Sequence, residues 1–264
     1  MKVFVEGVGL VGPGLNGWQA SQPILAGVTP YVEAQTVIPA NNLLPSAERR
    51  RTGMPVKISL AIGCEAIANA QRNAADLPTV FASSSGDGEN MHFIFDMLAN
   101  NGHEVSPTRF HNSVHNAPSG YWSIATKSMA PSTSLACYDE SFAAGLIETS
   151  AQVLTTVEAA VLIAYDTPYP VPLHESRPIS TAFGVALVLT RDRTERSLAM
   201  LEIGIHQQHD PCSPVEDARM EAIRVSSPAA RSLPLLSALA SRTAGRVCLA
   251  YVAGNQLDIA VQPC

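Results

Sequence analysis

The segment that decides the fold reads Ser134-Leu135-Ala136-Cys137-Tyr138-Asp139-Glu140-Ser141. It joins a predicted strand over Ser132–Cys137 to a predicted helix over Ser141–Thr155, which is rich in small and apolar residues. A helix that is apolar on most sides is buried on most sides. The segment therefore predicts a strand that ends in a turn at Cys137 and leads into a helix inside the core.

Cys137 is the candidate for chemistry in this segment. At the start of a helix, unpaired N–H groups and the positive end of the helix dipole favour the thiolate, which is the nucleophilic form of cysteine. Asp139 and Glu140 oppose this effect, because neighbouring carboxylates disfavour another negative charge. The residues alone leave two interpretations open, a catalytic nucleophile and a small buried apolar cysteine.

Strands alternate with helices on both sides of this segment. The predicted strands before residue 206 cover Val3–Val8, Leu77–Ala82, Ser132–Cys137, Ala159–Ala164, Phe183–Thr190 and Leu198–Ile205, and the main helices cover Val56–Gln71, Met91–Asn100, Ser113–Lys127 and Ser141–Thr155. This alternation predicts an α/β fold with a mixed sheet. Arg191-Asp192-Arg193 is a turn signal, which predicts a hairpin between the last two of these strands.

The chain changes in character after about residue 206. The stretch His206–Pro214 is polar and broken, and two short helices are predicted at Glu216–Arg224 and Leu233–Ala240. The last strands, Val247–Val252 and Leu257–Val261, flank Gly254-Asn255 and predict a terminal hairpin.

The composition limits the classes of function. The 264 residues are 46% hydrophobic, enough for one sizeable core, and a net charge of −6 argues against nucleic acid. Five scattered cysteines without a CxxC pair argue against a disulfide framework and favour a reducing compartment. We find no signal peptide, and the apolar runs fall short of the roughly 20 residues that a membrane span needs. We therefore expect a soluble cytoplasmic protein with no membrane span.

Two histidine groupings are weaker candidates for a site. His111 and His115 are spaced i, i+4 and would share one helical face, as a pair around a proton or ligand, as part of a polar pocket wall, or as a surface pair. His206, His209 and Cys212 have a metal-like spacing. No second ligand cluster accompanies them, so we expect a polar loop and no metal.

Two further features have structural interpretations. Ser83–Gly88 contains glycine but lacks the Gly-Lys-Ser/Thr ending of a phosphate loop, so it predicts a turn. Aromatic side chains are expected mainly in the core rather than around an acyl pocket. These are Phe81, Phe93, Phe95 and Phe110.

The order of these segments resembles the N-terminal half of a β-ketoacyl synthase, an enzyme of the thiolase-like fold. The segments that carry the resemblance are Asn116-Ala117-Pro118-Ser119-Gly120, Leu135-Ala136-Cys137, Glu48–Arg51, Val161–Asp166, Arg177-Pro178 and Phe183–Thr190. The resemblance covers about residues 1–205. It implies a thiolase-like half with a mixed five-stranded sheet and a buried helix, with residues 206–264 as a C-terminal extension packed on it.

The resemblance also implies roles for individual residues. Cys137 matches the nucleophile by position, and His111, His115 and Phe110 become candidates for substrate binding. Ketosynthases work as dimers with the strand before the nucleophile at the dimer centre, so the matching residues 133–135 are candidates for a partner interface. They are Thr133, Ser134 and Leu135.

Two departures from the family pattern limit the reactions that this chain is expected to catalyse. Tyr138-Asp139-Glu140 replaces the small residues that follow the nucleophile in ketosynthases. The His-Gly-Thr and Gly-His-type motifs of the second catalytic half, with its histidines and lysine, are missing. The chain alone is therefore not expected to perform a full Claisen condensation.

What the resemblance implies is a chain-length-factor-type subunit. Such a subunit forms a heterodimer with a full-length ketosynthase and needs no cofactor. It assists polyketide or fatty-acyl elongation on acyl carrier protein, as in aryl polyene systems. Two other functions stay open: a stand-alone acyltransferase or thioesterase that uses Cys137, and a non-catalytic homodimeric binding protein.

Overall fold

The computed structural model describes residues 1–40, 42–100, 104–207 and 210–264. The strands within these residues are β1 (Lys2–Gly12), β2 (Leu15–Asn16), β3 (Thr79–Ala82), β4 (Ser132–Leu135), β5 (Ala159–Asp166), β6 (Phe183–Thr190), β7 (Ala199–Gln207), β8 (Gly245–Tyr251) and β9 (Asn255–Pro263). The helices within them are α1 (Trp18–Leu25), α2 (Ser46–Arg49), α3 (Met54–Asn69), α4 (Gly88–Asn100), α5 (Pro107–His111), α6 (Ala117–Thr126), α7 (Ser141–Thr155), α8 (Leu173–Ser176), α9 (Ala218–Ser226) and α10 (Leu233–Ser241).

All of the strands join in one mixed sheet, which confirms the predicted α/β class. The order is β4-β3-β5-β6-β1-β7-β9-β8, with the short β2 beside the end of β1. Strand β3 runs parallel to β4 and β5, and the other pairings are antiparallel. The five strands expected for the thiolase-like half form the β4-to-β1 part, but five is too few for that half, because β2 and β7 belong to the same sheet. The long β1 pairs along both of its edges, so β7, β9 and β8 extend the same sheet.

The predicted hairpin between β6 and β7 is wrong, because β1 lies between these two strands. The connection is tied to β1 by Glu6, which is 1% exposed. Glu6 accepts hydrogen bonds of 2.5 Å from Arg72 and from Thr194 of the connection. Burial alone would raise the pKa of Glu6, but these hydrogen bonds, together with the charges of Arg72 and Arg196, outweigh burial and lower the pKa. The predicted terminal hairpin is confirmed as β8 and β9.

The end of the first predicted unit, at residue 205, falls inside a strand. Strand β7 covers Ala199–Gln207, and β9 pairs with it along its whole length. The sheet is therefore continuous across the expected boundary. The division into residues 1–205 and 206–264 stays a prediction.

Helices cover both faces of the sheet. Along β5, Leu162 joins the core on the side of α7, while Val161 and Ile163 join the core on the side of α3. This period of two follows from the alternation of side chains in a strand. Helix α7 begins and ends at the predicted residues, and its first turns from Ser141 to Leu146 are fully buried. The predicted buried helix is confirmed.

The expectation of a core position holds for Phe81 and fails for three other phenylalanines. Phe93, Phe95 and Phe110 are 41%, 53% and 68% exposed. Phe93 and Phe95 lie on α4, whose only buried large apolar residue is Ile94, and Phe110 lies on α5. These outer helices contact the core along too narrow a stripe to bury every aromatic ring. Within the described residues, no helix is both long and apolar enough to cross a membrane.

Candidate functional site

Three segments that carry polar residues meet at one edge of the sheet. Strands β3, β4 and β5 are parallel, so their carboxyl ends lie side by side. The predicted turn Ser83–Gly88 follows β3, Cys137 follows β4, and Asp166 ends β5. In open α/β sheets this edge is where ligands bind. It is therefore the candidate site.

Cys137 lies in the turn between β4 and α7, as predicted. The side chain is half-buried, and its backbone N–H donates a hydrogen bond of 3.0 Å to Ser141 Oγ. Ser141 Oγ donates in turn to the Tyr138 carbonyl at 2.7 Å. Tyr138 has a φ of 50°, in the left-handed region that a tyrosine rarely adopts. The turn holds a strained residue directly after the cysteine.

Two arginines balance the acidic residues beside Cys137. Asp139 accepts hydrogen bonds from Arg177 at 2.7 Å and from Arg231 at 2.8 Å. Arg231 also lies 3.5 Å from Glu140, and the Arg177 guanidinium stacks 3.7 Å from the centre of the Tyr138 ring. The two carboxylates therefore act within an ion-pair cluster rather than as isolated charges beside the thiol.

Sequence reasoning missed the role of Arg231 completely and that of Arg177 in part. The sequence-based prediction named Arg177 only as part of the family resemblance, and it did not name Arg231. The available signal was the pair of carboxylates at Asp139 and Glu140, because partly buried acids need cationic partners. That signal indicates that partners exist without identifying them.

Asp166, at the end of β5, links the turn after β3 to the C-terminal residues. Its carboxylate accepts hydrogen bonds from Ser84 N at 3.0 Å, from Ser84 Oγ at 2.5 Å and from Ala229 N at 2.8 Å. Burial raises the pKa of Asp166 from 3.8 to about 6, with these hydrogen bonds acting in the opposite direction. Ala229 and Arg231 belong to one short 3-10 turn, Ala229–Ser232, which closes over the edge.

The raised pKa of Asp166 predicts a pH effect on stability. The folded state favours the protonated carboxyl, so protonation of Asp166 stabilises the fold. This stabilisation is full below pH 3.8 and is lost as the pH rises through about 6. The loss corresponds to about 3 kcal/mol. Asp166→Asn removes it, so between pH 4 and 7 the wild type should lose more stability than the variant, as measured by urea unfolding. Parallel stability curves for the two proteins would contradict this assignment.

The structure does not bring His111 and His115 onto one helical face. The predicted helix Ser113–Lys127 begins only at Ala117, as α6, and His111 ends a separate short helix, α5. His115 Nε2 lies 3.1 Å from the Ser83 carbonyl, against the turn after β3. The His111 ring instead makes an edge contact with Tyr121 at 6.4 Å. The two histidines therefore line different cavities.

An apolar cavity of about 540 Å³ lies beside α5 and α6. Its aromatic and apolar lining includes Phe110, His111, Val114, Tyr121 and Ile124. Of these, Phe110, Val114 and Ile124 are exposed, and so is Met129, in the loop before β4, at 96%. Exposed large apolar residues that cluster in this way mark a binding surface rather than an ordinary monomer surface.

Strand β4 forms one edge of the sheet in the described part of the chain. The N–H and C=O groups of one strand residue point to the same side, and those of the next residue point to the other. The Leu135 carbonyl accepts a hydrogen bond of 3.3 Å from Ser83 N, so it faces the β3 side. Alternation then directs the backbone groups of Ser132 and Ser134 to the open edge.

The described residues contain no group of three or more His, Cys, Asp or Glu side chains arranged to hold a metal. His206 lies at the end of β7 and is exposed, and Cys212 lies in the loop before α9. His209, the central residue of the suggested metal spacing, lies outside the described residues.

Comparisons with known proteins identify the fold and the family. No curated protein matches the sequence. The chain is similar to one in the ketosynthase (ApeO) in complex with its chain length factor (ApeC) from Xenorhabdus doucetiae, with a TM-score of 0.75 and 18% identity over 98% of this chain and 99% of that one. A chain of AntDE:AntF, an acyl-carrier protein in complex with its ketosynthase from a type II polyketide synthase, gives a TM-score of 0.76 and 10% identity over 100% and 99%.

A third similar structure is the ishigamide ketosynthase/chain length factor, with a TM-score of 0.71 and 15% identity over 100% of this chain and 99% of that one. These likenesses confirm the predicted thiolase-like ketosynthase fold. The model of the β-ketoacyl synthase N-terminal domain matches residues 18–247, which include the Cys137 turn and the arginines that surround it. The chain therefore belongs to the family of β-ketoacyl synthase N-terminal domains.

Proposed function

We propose that this protein is a chain-length-factor-type subunit that pairs with a complete β-ketoacyl synthase. The pair would extend polyketide or fatty-acyl chains carried by acyl carrier protein in the cytoplasm, as in aryl polyene synthesis. The observation that carries the proposal is the open edge of β4 with apolar surface beside it. The family membership supports it.

The partner interface in this proposal centres on Thr133, Ser134 and Leu135. The backbone of Ser134 faces the open edge, where a strand of the ketosynthase would add to the sheet. Gln152 of α7 donates a hydrogen bond of 3.1 Å to Thr133 Oγ1, which holds the strand against the buried helix. Met129 lies in the loop that leads into β4, and Ile124 lies on α6, which packs beside β4; both side chains are exposed and apolar.

The substrate contact in this proposal is the cavity beside α5. Phe110, His111 and the exposed Ile124 line it. A growing acyl chain is apolar along much of its length, so it suits a mainly apolar cavity with a few polar groups. His115 would act from the neighbouring small cavity by holding the Ser83 turn in position.

Co-expression with a candidate ketosynthase tests the proposal. A tag on only one chain should bring down both chains in equal amounts, and the complex should elongate an acyl group on acyl carrier protein. Recovery of this chain as a homodimer that ignores ketosynthases would instead favour the plain binding protein.

A stand-alone acyl transfer function for Cys137 is the second candidate. The observation that favours it is the ion-pair cluster, because Arg177 and Arg231 compensate the carboxylates beside the thiol. Incubation of the purified chain with acyl-carrier donors should then add an acyl group to Cys137, visible as a mass increase.

The chain-length-factor proposal predicts a small effect from Cys137→Ala. Condensation would take place in the partner subunit, so elongation by the complex should stay within about twofold of the wild type. Steady-state elongation rates check this, with the variant of the exposed Cys264, Cys264→Ala, as the matched control. Loss of activity in an intact Cys137→Ala complex would contradict the non-catalytic role.

A further inference from the structure

A loop covers the second edge of the sheet, at β8. Ser213 N–H donates to the Cys248 carbonyl at 2.9 Å, and Cys248 N–H donates to Ser213 Oγ at 2.9 Å. These two bonds satisfy backbone groups that an edge strand would otherwise present to other chains. They also fix the residue before Ser213, which is Cys212, next to Cys248.

The two thiols of Cys212 and Cys248 are in contact. Val247 and Leu249 point into the core, so Cys248 projects to the opposite face of β8, where the loop carries Cys212. The Cys212 side chain lies close enough to affect the ionisation of Cys248, and both side chains are half-buried. The residues are 36 positions apart in sequence, so a covalent link between them would close a large loop.

We propose that Cys212 and Cys248 form an oxidation site that closes to a disulfide on exposure to hydrogen peroxide. The chemistry needs only the two thiols and this oxidant. Unlike the proposals above, it does not depend on a ketosynthase partner.

The reaction balances in two steps. Cys212 Sγ loses its proton and attacks one peroxide oxygen, which forms a sulfenic acid as the O–O bond breaks. The hydroxide that leaves takes up the proton and becomes water. Cys248 Sγ then attacks Sγ of the resulting sulfenic acid, the S–O bond breaks, and the second hydroxide leaves as water with the Cys248 proton. The two sulfurs lose two electrons in total, and the peroxide gains them.

The surroundings assign the order of the two steps. Burial and the neighbouring Cys212 raise the pKa of the Cys248 thiol to about 11. A thiol that resists ionisation reacts slowly with peroxide, so Cys212 reacts first and Cys248 resolves the sulfenic acid. Residues 213–217 line a surface cavity of about 580 Å³, and the disulfide would hold this wall against β8.

Peroxide treatment of the Cys264→Ser variant tests the proposal. The substitution removes the exposed thiol, which would otherwise link two molecules through a disulfide. We expect a mass loss of about 2 Da, a tryptic peptide joining Cys212 to Cys248, and full reversal by dithiothreitol. Closure of so large a loop should raise the Tm by roughly 5 °C or more.

The double variant Cys212→Ser, Cys264→Ser is the matched control and should show neither the mass loss nor the rise in Tm. Two outcomes would overturn the proposal. One is the addition of oxygen to Cys212 without formation of the link. The other is a disulfide that involves Cys64 or Cys137 in place of this pair.

Discussion

Replacing Ser134 with proline is expected to abolish assembly with a ketosynthase while leaving this chain folded. The Ser134 backbone faces the open edge of β4, because the neighbouring Leu135 carbonyl is used on the β3 side. Proline removes the outward N–H and places its ring where a partner strand would lie. On an edge strand with its N–H side open, proline is tolerated in the monomer.

The expected loss of affinity is roughly 100-fold or more, which corresponds to about 3 kcal/mol. Titration of the purified ketosynthase against the variant by calorimetry would measure it, and elongation should fall in parallel. Ser134→Ala is the matched control, because it shortens the side chain and keeps the N–H, so its complex should form normally. If Ser134→Pro assembles as tightly as the control, β4 is not the partner edge.

Replacing Gly9 with alanine is expected to prevent stable folding. Helix α3 crosses β1 so closely that a Cβ on Gly9 would overlap the Ile62 carbonyl oxygen and lie 2.9 Å from Ala66 N. Both groups belong to the helix backbone, which cannot move aside as a flexible side chain could. We expect a loss of about 4 kcal/mol or more, at the upper end of single substitutions.

Urea unfolding checks this expectation, with soluble yield as a second readout if the variant does not fold. Gly245→Ala is the matched control, since no heavy atom lies within 4 Å of the Cβ it adds. The control should change the free energy of unfolding by less than about 0.5 kcal/mol. A Gly9→Ala protein as stable as the control would mean that α3 and β1 lie further apart than described.

Features that depend on a short stretch of chain could be predicted from the sequence. Helix α7 begins and ends at the predicted residues because most of its 15 residues are small or apolar, and nine of them are buried. The terminal hairpin follows from the turn at Gly254-Asn255, and the turn at Ser83–Gly88 from its serine and glycine content. Local periodicity and turn chemistry suffice for each of these.

Features that depend on distant parts of the chain could not be predicted in this way. The turn between β6 and β7 indicates that the chain reverses, but not that β1 lies between the two strands. The spacing of His111 and His115 suits one helical face, but the structure places His111 at the end of α5 and His115 before the start of α6. Propensity is a weak guide wherever packing decides.

The sequence by itself determined that Cys137 follows a strand and precedes a buried helix, because residue type and periodicity act over a few neighbours. Only the tertiary structure decided the charge around that cysteine. Arg231 is 92 positions from Asp139 in the chain and meets it only after the C-terminal residues fold over the sheet. Ion pairing depends on distance in space, and a linear sequence does not contain that distance.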